Sequence, residues 1–250
     1  MSKSPLDRIY CWKHTLNIVK NTPASIKYDF KDLYEKYISY IPKYSKTRTI
    51  IRVDNMDSID CGLYYQSQGY TPIVLNLADN IIPGGFVHQG CAAQEESLFR
   101  RTSLCTTLVQ DLYPILPEEG IYSPKVDIIK TSEKDDWILY KEPKVLDFLS
   151  VPGIKYPNLD TITNLMSIED CNRLRIKIRL MLLISIENNH DCIVLGASGC
   201  GAWCSPPQQV AEIFNEVLEE LNGWFQLVTF AIIDSKRDNN LDIFRKVLCT

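Results

Sequence analysis

No stretch of the 250-residue chain is apolar for long enough to cross a bilayer: the most apolar run, residues 180–186, falls far short of the ~20 residues a membrane helix needs. The N-terminal MSKSPLDRIYCWKH has no apolar segment of the signal-peptide kind. A soluble, intracellular protein, cytoplasmic or nuclear and without a membrane partner, is therefore expected. Nor is there an excess of positive charge. Lys and Arg number 27 against 31 Asp and Glu, for a net charge of -4. Phosphate backbones are usually met by clustered basic residues, so direct sequence-specific nucleic-acid binding is not expected. Paired cysteine spacings are missing too: nine cysteines, an odd number, are scattered from Cys11 to Cys249, which excludes a disulfide framework and favours reduced thiols. The nearest thing to a zinc motif, Cys200-Gly-Ala-Trp-Cys204, has no second ligand pair, so neither metal nor cofactor is expected. Neither the Walker pattern nor Gly-x-Gly-x-x-Gly occurs, which removes the ordinary NTPase and Rossmann readings. There is no internal repeat, low-complexity tract or interdomain linker, and YPILPEEG (residues 113–120) reads as a loop inside the fold.

What is present is a globular composition, 45% hydrophobic and 23% charged, sufficient for one large domain or a core with an extension. Residues 7–20 and 32–40 carry apolar positions at helical spacing and predict a helical N-terminal extension over residues 1–48. From Thr49 the pattern becomes β-branched: TIIRV and PIVLNLA read as strands. Residues 93–110 read as a helix with Leu98, Leu104 and Leu108 facing inward and Arg100 and Arg101 facing out. VDIIK, WILY and VLDFLSV resume the strand pattern. Ser167 is placed to cap a long helix over 168–188, with Asp170 in a variant capping box. The strand CIVLGA, a helix from Pro206 or Pro207 to Leu221, the strand LVTFAII and a helix over 241–248 follow. Strands alternating with helices imply a largely parallel sheet covered on both faces, an α/β fold with its site where strand ends meet loops.

Two glycine loops follow apolar strands: Pro83-Gly84-Gly85, and Gly199-Cys200-Gly201. Glycine permits positive φ and close backbone approach, so successive N–H groups can curl around an anion, and the helix after the second loop points its positive end nearby. A diphosphate cradle and plain turn chemistry both fit. Cys200 lies where such dipoles would lower a thiol pKa, yet no base adjoins it, so it is read as contributing its N–H. The adjacent pair Glu95 and Glu96 opens a helix, where a favourable interaction with the helix dipole accounts for both. Neighbouring helical positions diverge by about 100°, so one carboxylate can do acid–base work while the other holds sugar hydroxyls. His88 reads as an exposed loop residue, and Trp12 and Trp224 as packing residues.

Taken in order, VLNLADNIIPGGFVHQGCAAQEESLFRRTSL, GIYSPKVDIIK, VLGASGCGAW followed by PPQQVAEIF, FAIID and the leading RIYCWKHTLNIV resemble the microbial-type poly(ADP-ribose) glycohydrolases, a branch of the macrodomain-like ADP-ribose hydrolases. The resemblance covers essentially the whole chain. It implies a macrodomain-like three-layer α/β/α core with a mixed, largely parallel sheet over residues 49–250, acting as the catalytic domain. It implies a monomer that binds ADP-ribose and hydrolyses the ribose–ribose O-glycosidic bonds of poly(ADP-ribose) on modified proteins. By position, Glu96 would be the catalytic acid, Glu95 would orient the ribose at the scissile bond and Gln94 would shape that end of the pocket. Gly84 and Gly85 would form the first loop, Gly199, Cys200, Gly201 and Ala202 the diphosphate loop, Trp203 would pack over the ribose, and Asn76 would be a lesser contact.

Phe86 stands where the family has its third consecutive glycine, and Cys204 and Ser205 replace the usual small residue and Asn. A ring at position 86 leaves three consequences open: a narrowed pocket, restricted chain length or lost activity. Two rival functions follow, a non-catalytic ADP-ribose reader and a hydrolase of single ADP-ribose groups. The implied chemistry also carries a tension. A general acid must hold a proton near neutrality, whereas a helix N-terminus favours the charged carboxylate, with Glu95 and the diphosphate pushing the other way.

Overall fold

The computed structural model describes residues 3–39, 48–233 and 238–249. Seven strands form one sheet in the order β1-β4-β5-β3-β6-β7-β2. β3 (Pro72–Asn76) and β6 (Cys192–Leu195) lie at its centre and are buried at every position, which is why they read as unbroken apolar runs. β5 (Leu139–Ser150), β3, β6, β7 (Leu227–Ala231) and β2 (Ile50–Asp54) run parallel, while β4 (Glu119–Lys130) is antiparallel to both β5 and β1 (Ile26–Asp29). The short motifs VDIIK and VLDFLSV thus belong to two twelve-residue strands joined as a hairpin.

Alternation along β3 separates the two faces. Ile73 and Leu75 pack with α5 (Ile168–Glu187), α6 (Pro207–Glu220) and α7 (Asn240–Leu248), whereas Val74 packs with α3 (Ser58–Ser67) and α4 (Gln94–Arg101). The result is the expected three-layer α/β/α arrangement. α1 (Pro5–Ile18) packs outside α4, and α2 (Phe30–Tyr37) lies against α5. Ser167 caps α5 as expected, its Oγ accepting from Asp170 N at 3.2 Å, but the Asp170 carboxylate turns to Asn158 N instead of completing the box. All nine cysteines are free thiols, and among the described residues no helix is long and apolar enough to span a membrane.

Two expectations fail around α4. The helix is only eight residues long, ending at Arg101, and Ser103–Thr106 and Gln110–Leu112 continue as separate 3-10 turns. Thr102 Oγ1 donates to Leu98 O and accepts from Leu104 N, and Ser103 Oγ accepts from Asp127 N, so hydroxyls replace the helical ladder. Leu98, Leu104 and Leu108 stay buried despite the break. Arg100 and Arg101, expected to face out, are 1% and 0% exposed. Arg101 is held by Asp57 (2.7 Å), Asp60 (2.9 Å) and Lys130 O (3.4 Å); Arg100 Nη1 donates to Cys91 O at 2.7 Å. Asp57 also caps α3 through Ile59 N and Asp60 N, so one guanidinium ties α4 to the start of a helix that the sequence pattern does not reveal.

Removing one partner of a buried ion pair leaves the other charge without compensation. Arg101→Leu is expected to cost about 3 kcal/mol, read as a fall in Tm of roughly 6–12 °C. A shift below a degree would show that Asp57 and Asp60 are satisfied by water.

Candidate active site

β5, β3 and β6 end at the same edge of the sheet, and the segments that follow them, residues 151–157, 77–93 and 196–206, meet there. α4 begins beneath this junction with Ala93 as an N-cap that supplies no side-chain hydrogen bond, leaving its first turn to Glu95 and Glu96. Both carboxylates turn to the Pro-Gly-Gly segment and flank Gly85, accepting from the residues on either side of it.

Glu95 is 3% exposed and takes three donors: Asn76 Nδ2 at 3.3 Å and Gly84 N at 3.2 Å on Oε1, and Asp79 N at 2.7 Å on Oε2. Burial pushes its pKa up to about 8, with the Glu96 charge adding to the rise and the Asp79 and Asn76 donors opposing it. Asn76 itself is fully buried, donates also to Ser150 Oγ (3.0 Å) and keeps Oδ1 without a partner among the described residues. Turning that amide over would present Oδ1 to Glu95, the acceptor a protonated Glu95 requires.

Glu96 is 6% exposed and has one bond, from Phe86 N to Oε1 at 3.1 Å. Its Oε2 has no partner among the described residues and is not sealed from solvent. The two glycines are there for these contacts. Gly84 has φ +73, and a Cβ on it would lie 2.4 Å from the Phe99 ring; Gly85 has φ +54, and a Cβ would lie 2.8 Å from Glu96 Oε1. Phe86, by contrast, has an ordinary φ of -102 and is 43% exposed. Only its backbone N–H enters the carboxylate cluster, so residue 86 needs no glycine here.

Gln94 spends its amide on β3, accepting from Leu77 N (2.9 Å) and donating to Leu75 O (2.6 Å) and Ser58 Oγ (3.1 Å), which fixes the strand end carrying Asn76. In the second glycine loop Ser205 N bonds Gly199 O at 2.9 Å and Ser205 Oγ bonds Ile154 O, so Ser205 closes the loop and ties it to the segment after β5. Gly201, Ala202 and Trp203 donate no backbone hydrogen bond among the described residues, and Gly201 and Ala202 are exposed. Cys200 corrects the expectation of a lowered thiol pKa: burial pushes it up to about 12.

Three residues here are not singled out by the sequence analysis. Asp79 supplies an N–H to Glu95 while its carboxylate accepts from Ile81 N and Ile82 N and lies 3.7 Å from Lys155 Nζ. Lys155 in turn stands 5.9 Å over the Trp203 ring, joining the two loops. The Tyr113 hydroxyl is buried without a partner among the described residues, its pKa raised by burial and by the charges of Glu95 and Asp79. An Asx turn at Asp79 was the one feature readable beforehand. His88 is exposed as expected; Trp12 packs on Phe99 and Trp224 on Tyr37.

A carboxyl whose pKa is about 8 when folded, against the usual 4.5, binds a proton on folding between those values, so it favours the folded state at low pH and that contribution is lost as pH rises from about 4.5 to about 8. Glu95→Gln is expected to flatten the decline of Tm across this window. Parallel Tm–pH curves for the two proteins would mean that Glu95 is ionised throughout.

Residues 13–131, which include both glutamates, match the family described as microbial-type PARG, catalytic domain. No curated protein matches the chain. Among solved structures, the poly(ADP-ribose) glycohydrolase from Thermomonospora curvata is 25% identical with a TM-score of 0.84, the alignment covering 97% of this chain and 100% of that one. The poly(ADP-ribose) glycohydrolase from Deinococcus radiodurans, in complex with ADP-ribose, is 25% identical with a TM-score of 0.74 over 89% and 93% of the two chains. The second glycine loop lies beyond the matched residues but within the shared fold. Over residues 13–131 the chain is thus similar to the microbial-type PARG catalytic domain, and its fold is that of the bacterial glycohydrolase structures.

Proposed function

We propose that the protein is a poly(ADP-ribose) glycohydrolase, a glycosidase that releases ADP-ribose by hydrolysing ribose–ribose O-glycosidic bonds. The observation that carries this is Glu96: one carboxylate oxygen is fixed by Phe86 N–H, and the other is unengaged at the carboxyl edge of the sheet. A reader of ADP-ribose has no use for such a group, whereas a general acid needs a fixed geometry and one free oxygen. The reaction passes through an oxocarbenium-like state as Glu96 protonates the departing ribose oxygen, and the resulting carboxylate then takes a proton from the attacking water.

The same proposal assigns roles to the rest of the site. The diphosphate lies along the second loop, against the N–H groups of Gly201, Ala202 and Trp203 and the start of α6, with Gly199 and Cys200 shaping the turn. Trp203 packs over the ribose, and the Lys155 ammonium beside it offers a counter-charge. Glu95 orients the ribose indirectly, by gripping Asn76, Asp79 and Gly84, while Gln94 holds the strand end beneath. Glu95 also bears on the tension over the proton. Its raised pKa favours the neutral form, which lessens the negative charge in the site before substrate binds. Residues 49–250 form the catalytic domain, and the preceding residues support it: α1 packs on α4, and β1 extends the sheet beside β4. The nine free thiols support an intracellular setting.

Glu96→Gln is expected to lower ADP-ribose release from poly(ADP-ribosyl)ated protein by at least about a hundredfold, followed by mass spectrometry, with the calorimetric Kd for ADP-ribose within about twofold of wild type. Wild-type release from singly modified protein alone would reassign the substrate. Binding without release from either substrate would make the protein a reader.

A further inference from the structure

The residue that fixes the acid in this site carries a ring that the hydrolysis itself does not require. Phe86 donates its N–H to Glu96 Oε1 at 3.1 Å, so whatever Glu96 protonates lies within a few ångströms of this residue. The residue is nevertheless left 43% exposed, with the His88 ring beside its own, centroids 6.3 Å apart and tilted 45°. An exposed Phe on a loop tip is ordinary when the loop is loose; this one is pinned from both sides. Gly84 abuts the Phe99 ring, Val87 is in the core, and Gly90 lies so close to α1 that a Cβ would be 2.2 Å from Pro5 O. Successive turns, Gly85 N to Ile82 O, Val87 N to Gly84 O and Gln89 N to Phe86 O, fix the backbone between those anchors. The ring is therefore presented on a rigid base, and little backbone order has to be gained when something settles on it.

The leaving group identifies what that is. In poly(ADP-ribose) the oxygen released at a ribose–ribose bond is a 2′-hydroxyl of an adenosine, and the adenine is attached to the adjacent carbon of the same sugar. A proton delivered from Glu96 to that oxygen places the purine within a few ångströms of the acid, in reach of a ring that begins at the residue bonded to it. A single ADP-ribose attached to an amino-acid side chain has no purine on its leaving side. We propose, resting on the glycohydrolase reading above, that the Phe86 ring stacks on the adenine of the departing unit and is a specificity-determining residue for polymer over singly modified protein. Stacking of a base on an aromatic ring needs only the π-face, so it adds affinity on the leaving side without a hydrogen-bonding partner.

The test compares wild type, Phe86→Leu and Phe86→Trp on poly(ADP-ribose) of defined length and on singly ADP-ribosylated protein, with the Kd for free ADP-ribose measured in parallel. Phe86→Leu, which keeps the bulk and removes the π-face, is expected to lower kcat/KM on the polymer by about tenfold, mainly through KM, and Phe86→Trp to restore it. The Kd for ADP-ribose, which occupies the other side of the bond, moves less than about twofold, and any turnover of singly modified protein is spared. Polymer cleavage by Phe86→Leu at the wild-type rate would overturn the inference while leaving the glycohydrolase reading intact. So would an equal loss in polymer cleavage and in ADP-ribose affinity, which marks general damage to the site. A wild type that leaves poly(ADP-ribose) uncut overturns the reading, and the inference falls with it.

Discussion

Much of the site is organised by the carboxylate of Glu95. Its three donors come from the end of β3 and from both limbs of the first loop, so one buried group fixes the strand, the turn and the helix relative to one another. Burial is costly for its charge and raises its pKa to about 8, while the same three donors favour the charged form and oppose that rise. Glycines at 84 and 85 are consequences of the same contacts: the backbone must approach the carboxylates and Phe99 more closely than any Cβ permits. Glu96, one residue on, takes the amide two residues further along the loop, Phe86 N, and is left with a free oxygen.

Buried cations hold this helix start in place from behind. Arg101 reaches Asp57 and Asp60 at the start of α3, Arg100 holds Cys91 O in the approach to α4, and Lys130 Nζ donates to Cys11 O (2.8 Å) and Thr15 Oγ1 (2.6 Å) on α1. Each donates to backbone, carboxylate or hydroxyl oxygens of a neighbouring segment. Burial lowers the pKa of Lys130 and raises that of the adjoining Cys11 thiol. α4 and its neighbours are thus held together by polar contacts, most of them between segments far apart in sequence, with the apolar core supplying the layers.

Much of this was legible beforehand because it follows from local rules. Fully buried strands read as unbroken apolar runs at 72–76 and 192–195, Ser167 marks the start of α5, and the prolines at 206 and 207 mark the start of α6. The glycine loops and the glutamate pair were found by their order along the chain. The failures share a different cause. Thr102 and Ser103 sit in a run that looks helical, and they end it because Leu98 O and Asp127 N are in reach of their hydroxyls. Arg100 and Arg101 look like the solvent face of an amphipathic helix until Cys91, Asp57 and Asp60 surround them. Asp79, Lys155 and Ser205 lie in loops with no periodicity to read.

The sequence by itself therefore determined the α/β alternation, the central strands, the position of both loops and the identity of the two carboxylates, since those depend on periodicity, turn chemistry and motif order within short windows. The tertiary structure decided which carboxylate is tied down and which keeps a free oxygen, where the arginines lie, and that Phe86 gives the site its N–H while its ring stays exposed. Those outcomes depend on which remote donors, acceptors and rings come within bonding distance. Only the meeting of the segments after β3, β5 and β6 at one edge of the sheet fixes them.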